Sequence, residues 1–120
     1  MNGMTSPSIE LRQLIPVVNQ LFDMEQKLAH AGEAAHRLSR NIGRIRRYLK
    51  EMGLSYHSPL GEPYDETRTD CEATIVGESA ENLRVTEVIK PLVRVEMNGL
   101  SHILQRAVVI VQSEKNKHSK

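Results

Sequence analysis

A run of apolar residues at alternating steps of three and four constrains this chain more than any other feature. Leu14, Val17, Leu21, Met24, Leu28, Ala31, Ala35, Leu38, Ile42, Ile45, Leu49 and Met52 form the series, and no polar residue interrupts it. Such a repeat keeps one stripe of a helix apolar, and at this length it describes helices packed on helices, not a surface helix resting on a sheet. The basic residues Arg37, Arg40, Arg44, Arg46, Arg47 and Lys50 all fall off the stripe, on what should be a solvated outer face. Pro16 disfavours helix at the residue before it, so it begins or kinks a helix. Gly32, among the small residues Ala29, Ala31, Ala34 and Ala35, offers a turning point. Periodicity alone leaves two readings open: one helix of about 36 residues, roughly 54 Å long, or a hairpin turning near His30–Glu33.

Composition bears on what covers the stripe. Aromatic residues make up 3% of the 120, with no Trp and Phe22 as the single Phe. A core of Leu, Ile, Val and Met in a chain this short leaves little spare stability from burial alone. The expectation is therefore a core shared between subunits. The dimer interface is assigned to Leu14, Val17, Leu21, Met24, Leu28, Leu38, Ile42, Ile45, Leu49 and Met52.

Gly53 stands where a left-handed helix cap is wanted, and Ser58–Pro63 is rich in turn formers. Beyond it, Glu72–Val76, Leu83–Ile89, Val93–Met97 and Ile103–Val111 read as strands, with Asn98-Gly99 as a hairpin turn. Pro91 makes the second and third of these separate, bulged or at an edge. The fold class expected is α+β: a helical dimerisation region over 1–56, a lobe of about four strands over 57–113, and a polar tail over 114–120.

The formal net charge of +1 gives no bulk electrostatic case for nucleic acid or membrane. Tyr48 is the only aromatic interleaved with the basic run, which favours a solvated face over a nucleic-acid site. The first residues lack the basic start and apolar stretch of a signal peptide, and no apolar run reaches the ~20 residues of a membrane span. One cysteine, Cys71, precludes an internal disulfide and fits a reducing cytoplasm. It falls in an expected strand, as a small buried hydrophobe would. His30, His36, His57, His102 and His118 show no metal-ligand spacing. No nucleophile elbow, phosphate loop or paired-carboxylate motif is present. The expectation is a cytoplasmic protein that is not an enzyme and uses no cofactor or metal.

Four stretches, in order, resemble the GrpE family, the nucleotide exchange factors of DnaK-type chaperones. Leu14-Ile15-Pro16-Val17-Val18-Asn19-Gln20-Leu21 is similar to the start of that family's helical bundle. Ile42–Leu54, ending Leu49-Lys50-Glu51-Met52-Gly53-Leu54, is similar to its second bundle helix. Tyr64–Cys71 resembles the entry into its β-lobe, and Ser101–Val111 its closing motif. Their order and spacing hold from about residue 10 to residue 112, most of the chain. The family's long N-terminal stalk has no counterpart, since thirteen residues precede Leu14, and the link between the bundle helices is short. Thr69 stands where the family has His, its Gly-Tyr is lost around Arg94-Val95, and Ser101-His102 replaces its Gly-Arg. The resemblance implies a four-helix bundle made by two chains, with β-lobes that bind a chaperone ATPase domain and promote nucleotide release. It places Arg94, Asn98 and His102 as partner-binding residues. The alternative is a dimeric adaptor or structural subunit, built on the same plan but without exchange activity.

Overall fold

The computed structural model describes residues 11–33 and 35–114. The expected polar leader and the tail after Glu114 lie outside the described residues. Among those described, two helices and six strands form a mixed α+β fold: α1 (Ile15–Leu28), α2 (Ala35–Glu51), β1 (Leu54–His57), β2 (Cys71–Val76), β3 (Leu83–Lys90), β4 (Leu92–Met97), β5 (Leu100–Gln105) and β6 (Ala107–Ser113). The strands make two three-stranded sheets, in the orders β1-β4-β5 and β2-β6-β3.

The helical region is a hairpin, which resolves the choice that periodicity left open. Pro16 lies in the first turn of α1, where its missing amide hydrogen would have had no intrahelical partner. The chain leaves α1 through Ala29 and reverses at Gly32, whose φ of +81° is left-handed. A seven-residue repeat can run through such a turn unbroken, because it records faces and not continuity.

The chain divides into two compact units. One comprises the residues up to Tyr56 together with Val93–Leu104, and the other His57–Leu92 together with the residues from Gln105. In the first, Val18, Leu21 and Phe22 of α1, Ile42 and Leu49 of α2, and Leu54, Tyr56, Val93 and Val95 of the strands are buried. Gly53 ends α2 at φ +91° and accepts a backbone hydrogen bond from the Glu96 amide at 2.8 Å, joining the helix end to β4.

The second unit is organised by β6, which pairs parallel with β2 and antiparallel with β3. Its burial alternates strictly, with Ala107, Val109, Val111 and Ser113 inward, as the period of two requires. Two register shifts bend β3, between Val85 and Glu87 and between Val88 and Lys90.

Six strands replace the expected four or so. The short β1 falls at the end of the region expected to be helical, 1–56. The expected closing strand Ile103–Val111 is two strands, parted at Arg106 and assigned to different sheets. Pro91 separates β3 from β4, also in different sheets.

Candidate interaction surfaces

The apolar series splits into two heptad rows with different fates. Residues seven apart on a helix share a face to within about 20°. In the row of Leu14, Leu21, Leu28, Ala35, Ile42 and Leu49, four side chains (Leu21, Ala35, Ile42 and Leu49) are only 2–7% exposed, and the other two are half-buried. This row is covered by the chain's own fold. The row of Val17, Met24, Ala31, Leu38, Ile45 and Met52 lies about 60° around each helix, and its five large members are 39–56% exposed. The sequence-assigned interface is therefore divided: Leu21, Ile42 and Leu49 are spent inside the chain, while Val17, Met24, Leu38, Ile45 and Met52 stay available. Leu14 and Leu28 fall between.

The partner-binding residues assigned to the last hairpin are placed as follows. Asn98 (φ +55°) and Gly99 (φ +78°) form the two-residue turn between β4 and β5, with both φ values positive as a type I′ turn demands. Such a turn sets Met97 opposite Leu100, and alternation from there puts Arg94 and His102 on opposite faces of the ribbon. His102 and Asn98 are exposed and Arg94 is half-buried. The three share one hairpin but not one face.

Two polar clusters were not foreseen. In the first unit the Tyr56 hydroxyl donates to Glu25 Oε1 at 2.8 Å, and Arg46 lies over the Tyr56 ring at 4.6 Å while pairing with Glu25 Oε2 at 3.3 Å. Burial, then the hydrogen bond and charge of Glu25, push the Tyr56 phenol above its ordinary range. In the second unit Arg68 grips Asp70 with two hydrogen bonds of 3.0 Å and reaches Glu62 Oε1 and the Pro63 carbonyl, each at 3.1 Å. The Arg68 guanidinium holds the Asp70 carboxyl below the usual range against some burial. For Glu62 burial acts upward, and hydrogen bonds from His57 and Arg68 outweigh it, so its carboxyl is also lowered. This clamp shapes the loop into β2, the stretch that carried the third family resemblance. Spacing gave no signal for either cluster.

Cys71 is buried and free, its thiol pushed up by burial, so it is a poor nucleophile near neutral pH. Among the described residues no group of three or more His, Cys, Asp or Glu could hold a metal ion. No described helix is long and apolar enough to cross a membrane.

The outer arc of α2 carries the basic run. Arg37, Arg40, Arg44, Arg47 and Lys50 are exposed, and none forms an ion pair with a described residue. Beside this arc, a concavity of about 600 Å³ is lined by Gly43, Arg46, Arg47 and Lys50 of α2, by Ser55 and Tyr56 of β1, and by Glu96 of β4. Comparison with protein-family profiles, curated proteins and solved structures finds no match to this chain.

Proposed function

We propose that this chain works as a homodimeric cochaperone-like protein, pairing through its helical hairpin and binding the ATPase domain of a DnaK-type chaperone to promote nucleotide release. The observation that carries the dimer is the exposed heptad row. Val17 and Met24 on α1, Leu38 and Ile45 on α2, and Met52 just past its end keep about half of their surface in water. Each fully buried side chain of this size is worth roughly 1.5–3 kcal/mol, so a second copy that covers the row gains substantially. Two helices per chain also make four in a dimer, the bundle that the GrpE resemblance implies.

The partner assignment rests on that resemblance and on the order of elements: a helical hairpin first, then small sheets. Binding would promote release by differential affinity, favouring the open, nucleotide-free state of the ATPase domain over the closed one. His102 stands where the family carries arginine, so a fixed charge with five donors becomes an exposed imidazole. A charge-assisted contact of this kind is worth about 1.5–3 kcal/mol.

The test is release of a fluorescent ADP analogue from a DnaK-type chaperone of the protein's own host. The native chain is expected to accelerate release weakly, and His102→Arg to raise the acceleration about tenfold or more. No acceleration and no binding by either protein would remove the chaperone and leave the dimeric adaptor.

A further inference from the structure

The outer arc of α2 presents five cations that pair with no described carboxylate. At 100° per residue, Arg37, Arg40, Arg44 and Arg47 fall within an arc of about 80°, opposite the buried Ile42 and Leu49, and Lys50 extends it by a further 60° or so. The row runs about 20 Å along the helix. No acidic residue occurs between Glu33 and Glu51, and none of the five takes a described carboxylate partner. Arg46, by contrast, is engaged by Glu25 and the Tyr56 ring. Ion pairing within the chain thus accounts for one cation of the run and leaves five.

Two further features give the arc the character of a site. Arg47 and Lys50 also line the concavity, where Gly43 leaves the helix backbone open, with nothing within 4 Å of where a Cβ would stand, and Ser55 adds a hydroxyl. With Arg46 taken up by Glu25, Arg47 and Lys50 stand against the single carboxylate of Glu96 and leave that hollow net positive. At the edge of the arc, one turn beyond Arg44, Tyr48 is 56% exposed.

We infer that this face binds the phosphodiester backbone of a single-stranded nucleic acid. A line of like charges matches a linear polyanion, and guanidinium groups match phosphate in fork geometry. An exposed tyrosine beside the line supplies a face on which a base can stack, for which a carboxylate-rich protein has no use. The choice against a lipid surface rests on the proposed dimer, which takes up Leu38, Ile45 and Met52, the apolar row an interfacial helix would insert.

The experiment is fluorescence anisotropy of a labelled 20-nucleotide single strand with the full chain. Polyglutamate and anionic phospholipid vesicles serve as competitors, and sedimentation follows the dimer separately. Five phosphate contacts predict a slope of log K against log salt of about −3.5. Arg40→Glu with Arg47→Glu should weaken binding at least tenfold, Arg40→Gln with Arg47→Gln somewhat less, and Tyr48→Ala severalfold. Lys90→Glu in the other unit should leave it unchanged. Circular dichroism checks that each variant keeps its helix. No binding at low salt by a chain that sediments as a dimer overturns the inference alone. Equal competition by polyglutamate overturns it in favour of an acidic protein. Vesicle binding by a chain that sediments as a monomer overturns it together with the dimer.

Discussion

One side chain, Tyr56, holds α1, α2 and β1 together through its hydroxyl and its ring face. The hydroxyl reaches Glu25 on α1, and the ring carries Arg46 from α2. Removing the hydroxyl leaves Glu25 paired with Arg46, so Tyr56→Phe should cost about 1–2 kcal/mol at pH 7, read as a shift in the urea midpoint. The raised phenol pKa fixes the sign of a pH effect. The fold favours the neutral phenol, so this stabilisation is complete below the ordinary tyrosine value of about 10 and is lost as pH rises from there through the folded value. The native chain should therefore lose stability above pH ~10 faster than the Phe variant does. Parallel losses would mean that Tyr56 is not the group responsible. Nothing local in the sequence announces this cluster, because its contacts join residues 31 and 21 positions apart.

Gly53 is the hinge point at the scale of elements, where α2 ends and β1 begins. Its φ of +91° strains any side chain, and a Cβ there would come within 2.8 Å of the Glu96 carbonyl oxygen. Gly61 has a similar φ of +84° but open space around it. Gly61→Ala should therefore cost only the left-handed strain of about 1–2 kcal/mol. Gly53→Ala should cost clearly more, because β4 must move as well. Thermal unfolding of the two variants checks the ranking, and equal midpoints would contradict it. Signals of this kind were legible in the sequence: Gly53 as a cap, Asn98-Gly99 as a turn, Pro16 as a helix start and Pro91 as a break between strands are local stereochemistry. What stayed illegible depends on distant partners. The β1 segment is four residues long and becomes a strand only because β4 lies beside it. Ile103–Val111 reads as one strand until two sheets claim its parts.

For the whole molecule, the apolar series marks the apolar faces of the helices but not how they divide between the chain's own core and solvent. Both heptad rows are equally apolar, so composition cannot say which one the chain covers by itself. That follows only once the hairpin forms. The division changes what mutation should do. A charge at Ile42, buried within the chain, should unfold the hairpin, since it loses hydration and gains no partner. A charge in the exposed row should separate the subunits and spare the fold. Sedimentation equilibrium of the native chain beside Leu38→Asp with Ile45→Asp, with helix content followed by circular dichroism, tests this most directly. The native species is expected at twice the 13.6 kDa chain mass, and the variant is expected to be monomeric yet still helical. A native chain that stays monomeric and fully helical at every concentration, or a variant that stays dimeric, would contradict it.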